Sequence, residues 1–222
     1  AEAKRLVGHL PNVKLHDIPT NDAWMRDHGP MFLVGPSGSE PVMIDWGYNA
    51  WGGKYPPYDH DDVVPKRINE SLKYRRYEPG IVMEGGAVDF NGLGSVLTTE
   101  QCLLNENRNP TLSRADTEGY LLDYCNAPNV IWLGQGIEGD DTDGHIDLVA
   151  AFSAPGRVVV QGGDDPAWPG TNRLAMVRRC IEGALDASSR NLRVVELPGL
   201  PTVEEDGTIY AVPYLNYYVA NG

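Results

Sequence analysis

Acids, imidazoles and glycines fall together in four short segments of this 222-residue sequence. The first is Trp24-Met25-Arg26-Asp27-His28-Gly29-Pro30 and the second is Glu84-Gly85-Gly86. The third runs from Glu138 to Asp147 and holds Asp140, Asp141, Asp143 and His145; the fourth is Tyr214-Leu215-Asn216. Gly144-His145-Ile146-Asp147 reads as the entry to a strand. Strand side chains alternate, so His145 and Asp147 share one face while Ile146 turns into the packing. Such a pair can divide the labour, with His145 moving protons and Asp147 binding a cation. A His–Asp hydrogen bond of purely structural purpose satisfies the same spacing. Asp27 either joins them or braces its own turn with Arg26. Trp24 suits core packing or stacking on a planar cation. The glycines after Glu84 imply a close backbone approach, and Glu84 itself reads equally as a buried acceptor. Should Asp27 and Asp147 converge, the pocket would suit a guanidinium, whose fork of N–H donors matches carboxylates in paired contacts.

The carboxylates of the third segment invite a metal reading that their spacing does not support. With Gly144 at the sixth position of a calcium loop, Gly139 falls where an acid is needed and Ala150 where a bidentate glutamate is needed. One His among Asp residues lacks the closely spaced partners of a zinc site, so no metal is expected. Gly92-Leu93-Gly94 has no third glycine for a dinucleotide loop, and no Gly-x-Ser-x-Gly elbow occurs.

Charge narrows the partners. A formal net charge of −13 repels phosphate backbones and anionic lipid, so neither nucleic acid nor a membrane surface is an expected partner. It favours a cationic ligand, or serves solubility alone. No apolar run approaches the roughly 18 residues that span a bilayer. The opening Ala1-Glu2-Ala3-Lys4-Arg5 has no apolar core and is not expected to be a signal peptide. Cys102, Cys125 and Cys180 are odd in number and far apart, a pattern that fits a reducing, cytoplasmic location. A homo-oligomer is compatible with all of this and required by none of it.

The elements that must position these groups recur. Apolar runs at 31–34 and 41–46, 87–90 and 95–99, and 146–153 and 157–161 flank turn residues and read as three hairpins, Asn91-Gly92 being the strongest turn signal. A helical stretch follows each, at 61–73, 113–125 and 172–187. Pro65 sits in the opening turn of the first and Ser113 caps the second; Leu174, Val177, Ile181 and Leu185 form one face of the third. Strands are expected afterwards near 81–83, 130–133 and 192–197. The unit is strand–strand–helix–strand, repeated about every 55–65 residues and packed against its neighbours because one unit cannot cover both faces of its sheet. Residues 4–10 and 13–18 read as the helix and last strand of an earlier unit. At the other end, 208–212 and 214–219 lead into an Asn221-Gly222 turn with no return strand, so sequence is expected to be missing on both sides. Residues 1–222 are thus read as one catalytic-domain fragment: the end of one unit, three full units and the start of another.

Together these segments resemble the agmatine deiminase family, which is grouped with bacterial peptidyl-arginine deiminases in the guanidino-group-modifying (pentein) superfamily. Asn49-Ala50-Trp51-Gly52-Gly53 and Leu103-Leu104-Asn105-Glu106-Asn107-Arg108-Asn109-Pro110 carry the resemblance beside the segments above. It implies an α/β propeller of five pseudo-repeated ββαβ modules, incomplete at both ends here. The implied activity is hydrolysis of agmatine to N-carbamoylputrescine and ammonia, in putrescine and polyamine biosynthesis, with no metal and no cofactor. By resemblance Asp27 and Asp147 hold the guanidinium, His145 acts as general acid and then base, and Trp24, Asp141 and Glu84 serve the substrate pocket. The family nucleophile is a cysteine in a Gly-rich His-Cys segment, a context that Cys102, Cys125 and Cys180 do not share; thiolate character is what such an attack requires. The chain alone is therefore expected to be inactive. Protein-arginine deimination and non-catalytic guanidine or polyamine binding are the alternatives.

Overall fold

The computed structural model describes residues 2–35, 39–163, 170–199, 203–210 and 213–217, and within them one element order occurs three times. The first unit is β1 (Met31–Leu33), β2 (Val42–Ile44), α1 (Val64–Leu72) and β3 (Arg75–Tyr77). The second is β4 (Val88–Phe90), β5 (Ser95–Thr98), α2 (Arg114–Cys125) and β6 (Asn129–Trp132). The third is β7 (Ala150–Ala154), β8 (Arg157–Gly162), α3 (Thr171–Glu182) and β9 (Arg193–Gly199). Each unit makes a three-stranded sheet, with an antiparallel hairpin and then a strand that returns parallel through the helix. The helix is what allows the parallel return, since a tight turn can only join antiparallel strands.

Local chemistry sets the boundaries. The Asn91 side chain accepts from Leu93 N–H (2.8 Å) and Ser95 N–H (3.0 Å) and closes the β4–β5 turn. Ser113 and Asp116 form a complete capping box on α2, which ends on Asn126 in the left-handed region. Pro65 occupies the first turn of α1, where no helical hydrogen bond is lost. Leu174, Val177 and Ile181 form the buried stripe of α3.

The units share their cores. Val96 and Leu97 are neighbours on β5 and point to opposite faces, so Val96 packs with Ile44, Met83 and Ala87 of the first junction, and Leu97 with Ile146, Val149 and Phe152 of the second. All four residues of β5 are buried, as expected for a strand covered on both sides.

Several expected elements are corrected. The third strand of the first unit is β3, ahead of the expected 81–83. Glu78-Pro79-Gly80, with Gly80 at φ 80°, interrupts the chain, and only a single parallel bridge, Gly47 to Val82, follows. The first strand of the third unit begins at Ala150, because Ile146–Leu148 is a 3₁₀ turn. Leu185 lies beyond the end of α3 and is exposed. Residues 13–18 form no strand, and the helix near the start, Glu2–Val7, buries none of its side chains. The expected strand at 208–212 begins as Thr208–Tyr210, paired antiparallel with Val203–Glu205. Residues 214–217 form no strand. Residues 36–38 of the first hairpin turn, the ends of the strands at 211–212 and 218–219, and the Asn221-Gly222 turn lie outside the described residues.

Ile146 is completely buried between the second and third units and anchors the turn that carries His145 and Asp147. Ile146→Ala is expected to lower unfolding stability by about 3 kcal/mol, read as a shift of the denaturant midpoint.

Candidate active site

Equivalent places in the three units carry the polar segments. Each first strand is entered through a short helical turn: Met25–His28 before β1, Gly85–Ala87 before β4 and Ile146–Leu148 before β7. The turns converge on Gly86. A Cβ at that position would lie 2.5 Å from His145 Nδ1, 2.7 Å from Asp27 Oδ1 and 2.9 Å from Asp147 Oδ2. Its neighbour Gly85 is held as closely, since a Cβ there would meet the Arg26 carbonyl oxygen at 2.0 Å. The glycine pair therefore brings two chain segments and three polar side chains into one place.

Asp27, His145 and Asp147 are all buried. His145 Nδ1 stands 3.7 Å from Asp27 Oδ1 and 4.0 Å from Asp147 Oδ1. His145 and Asp147 meet through the 3₁₀ turn, which replaces the strand alternation expected from the sequence. Asp27 accepts from Gly86 N–H at Oδ1 (3.0 Å) and from the Trp51 indole N–H at Oδ2 (3.1 Å). These groups, with the exposed Trp24 and Asp141 on the rim, line an open cavity of about 520 Å³, to which Asn216 of the fourth segment also contributes. The Tyr55 hydroxyl donates to the Asp141 carboxylate at the mouth.

Glu84 does not line the cavity. It stands behind it, fully buried and paired through Oε1 with Arg108 Nε at 2.6 Å. Arg108 was not singled out by sequence reasoning, although Leu103–Pro110 contains it. Its guanidinium also donates to Asp143 Oδ2 (2.6 Å), Asn107 Oδ1 (2.8 Å) and the Thr142 carbonyl (2.8 Å), tying Glu84 to the acidic loop before His145. Donor atoms of Glu84, Cys102 and His145 lie within 4.8 Å of one another, the one such group of possible metal ligands among the described residues. They do not fit a metal ion. Arg108 already occupies Glu84 with a buried positive charge, and burial holds the proton on the Cys102 thiol.

Among the described residues Arg26 is the one Lys or Arg that lines the cavity, and its charge offsets the buried acids only in part. Burial, and then the neighbouring Glu84, push Asp27 up to about 7, against the hydrogen bonds from Trp51 and Gly86. Burial, and then Asp27, push Asp147 up to about 7 as well. Burial and the Arg108 charge push His145 down to about 3 and keep it neutral. Asp89, which accepts from Phe152 N–H at 2.6 Å and was also missed in the sequence, is raised to about 6 by burial. The arrangement can receive a planar cation between Asp27 and Asp147, with a neutral imidazole beside it to take a proton. None of the cysteines lines this cavity. Cys102 is fully buried, Cys125 packs its sulfur 3.7 Å from that of Met31, and Cys180 is exposed on α3.

The model of the Porphyromonas-type peptidyl-arginine deiminase family matches residues 1–222. The agmatine deiminase of Pseudomonas aeruginosa is 37% identical over 95% of this chain and 63% of its own length. That of Pseudomonas fluorescens is 35% identical, over 96% and 64%. The solved agmatine deiminase of Enterococcus faecalis superposes with a TM-score of 0.82 at 37% identity, covering 92% of this chain and 60% of that one. A Cys-to-Ser variant of C. jejuni agmatine deiminase with substrate bound gives 0.84 at 28% identity, over 96% and 62%. The chain thus spans less than two thirds of the length of these relatives. No helix among the described residues is long and apolar enough to cross a membrane.

Asp147 supplies a test of the charge imbalance. The folded state binds its proton more tightly than the unfolded chain does. The stability this contributes is complete below the ordinary carboxylate value of 3.8 and is lost as pH rises through about 7. Asp147→Asn is therefore expected to stabilise the ligand-free protein by up to about 4 kcal/mol at pH 8 and to have little effect near pH 4. Denaturant unfolding at the two pH values measures the difference.

Proposed function

This chain belongs to the family of Porphyromonas-type peptidyl-arginine deiminases, and on that footing we propose that it forms the guanidine-binding part of a hydrolase that converts agmatine and water to N-carbamoylputrescine and ammonia. The carrying observation is the meeting of Asp27, His145 and Asp147 over Gly86 at the floor of one cavity. Two carboxylates with no Lys or Arg at ion-pair distance among the described residues match the N–H fork of a guanidinium, and the cation adds positive charge that Arg26, at the cavity wall, supplies only in part. The relatives named agmatine deiminase favour the small amine over a peptide.

In this reading a cysteine outside these 222 residues attacks the guanidinium carbon. Neutral His145 takes the thiol proton and passes it to the departing nitrogen, which leaves as ammonia. A water molecule then loses a proton to His145 and adds to the thiouronium carbon; collapse breaks the C–S bond as the new hydroxyl gives up its proton, which ends on the released ammonia, and the His145 proton returns to sulfur. Asp27 and Asp147 stabilise the positive charge on the substrate throughout. Glu84, set behind His145 by Arg108, orients the imidazole instead of touching substrate. Trp24 and Asp141 border the substrate chain at the mouth. Three units that share cores with their neighbours fit a ring of five closing around the site. The dispersed, unpaired cysteines fit a cytoplasmic setting.

Calorimetric titration of the chain with agmatine is expected to show binding that weakens roughly 10- to 100-fold in Asp27→Asn and Asp147→Asn. In a protein that includes the nucleophile, His145→Ala is expected to abolish formation of the ureido product while the fold remains intact. Product from a blocked arginine peptide and none from agmatine would move the assignment to protein-arginine deimination.

A further inference from the structure

The Asn49–Gly53 segment lies at the site, yet the reaction scheme above gives it no task. Ala50, Trp51, Gly52 and Gly53 have φ of 53°, 55°, 85° and 78°, a complete left-handed turn. The two glycines adopt this freely, whereas Ala50 and Trp51 are each strained by roughly 1 kcal/mol or more. The surroundings hold the turn in place. Gly53 N–H donates to the Asn49 carbonyl (2.7 Å), Lys54 N–H to the Ala50 carbonyl (3.1 Å) and Gly52 N–H to the Asn49 side chain (2.8 Å). The Asn49 amide in turn donates to the Asn107 carbonyl at 2.9 Å. Gly52 packs so closely on Asn107 that a Cβ would lie 2.4 Å from its side chain. The Tyr48 and Tyr55 rings meet the Trp51 indole edge-on, at 5.5 and 5.6 Å.

The outcome of this strained geometry is one hydrogen bond. The Trp51 N–H reaches Asp27 Oδ2 at 3.1 Å, while Gly86 N–H holds Oδ1 at 3.0 Å. Donors from two different units therefore fix both oxygens of one buried carboxylate. We infer that Trp51 is the positioning residue of the site: its indole N–H, aimed by the left-handed turn, sets the plane of Asp27 and holds its charge where a guanidinium is received. The inference deepens the guanidine-binding reading but has a test that needs no ligand. His145, Asp147, Glu84, Arg26 and the Tyr48 phenol also act on Asp27, and none of them is altered by the variants below.

Trp51→Phe keeps an aromatic ring and an equal backbone demand while removing the N–H. β-(3-Benzothienyl)alanine at position 51 keeps the whole bicyclic shape with sulfur in place of N–H, and serves should Phe fail to fold. The Asp27 carboxyl is followed by carbon-13 NMR titration of the ligand-free chain, its signal identified by its loss in Asp27→Asn. The midpoint, about 7 with Trp51 in place, is expected to rise by about one pH unit in both variants. An unchanged midpoint in either folded variant overturns the inference, because packing alone would survive the benzothienyl replacement. Agmatine affinity is then expected to fall roughly fivefold at pH 7 and to recover toward pH 9, where Asp27 is ionised in every form. A shifted midpoint with no agmatine binding to any form would leave the clamp standing and defeat the guanidine reading.

Discussion

Where three unit junctions meet, residue 86 has no side chain, and its neighbours fill the space that one would take; the candidate site exists because of it. Any Cβ there would overlap His145, Asp27 and Asp147 together, so these groups approach one another only across bare backbone. The rest of the architecture serves this approach. Each junction enters its strand through a short helical turn: the first and third carry Asp27 and Asp147 inward, and the second supplies the bare glycine between them. Apolar residues of those turns, Ala87 and Ile146 among them, are sealed into the cores between units. Packing between units and spacing within the site are thus one property, because a shift of one unit against the next moves the imidazole relative to the carboxylates.

The second constraint is charge. Asp143 and Glu84 are matched by Lys54 and Arg108 at 2.6–2.7 Å, and that network holds the acidic loop against the second unit. Among the described residues Asp27 and Asp147 have no such partner; their close neighbour is a histidine that burial keeps neutral. Burying two carboxylates without a cation destabilises the fold at neutral pH. A protein selected for stability alone would neutralise them, whereas one that binds a cation gains affinity from the same imbalance. The hydrogen bonds from Gly86 and Trp51 limit the cost at Asp27 without cancelling it.

Much of this was legible in the sequence. Turn chemistry located the second hairpin and the Ser113 cap, since each depends on a few adjacent residues, whereas the first helix starts at Val64, three residues later than expected. The repeated order of elements was readable for the same reason. Elements whose limits depend on tertiary contacts were misplaced: β3 is set by pairing with β2, and residues 146–148 curl into a 3₁₀ turn although their apolar pattern suits a strand. Spacing brought out His145 and Asp147, and the family resemblance added Asp27. Spacing did not bring out Arg108, whose partners stand 24 and 35 positions away, or Trp51, 24 positions from Asp27. Leu103–Pro110 held Arg108 in view, and an arginine amid polar residues beside an apolar run was the available signal of a buried pair.

Trp51 and Arg108 are linked, which explains why both lie in glycine- or asparagine-rich turns. Asn107 takes the side chain of Asn49 on its carbonyl, packs under Gly52, and accepts Arg108 Nη1 on its own side chain. The turn that aims Trp51 at Asp27 and the guanidinium that holds Glu84 behind His145 therefore rest on one residue. A carboxylate from the first unit and the imidazole from the third are brought into register through the second, by groups that never reach the cavity. Positions that hold a cation can be found by asking which side chains face the pocket. Positions that keep those side chains in place follow instead from strain and burial, and here both converge on Asn107.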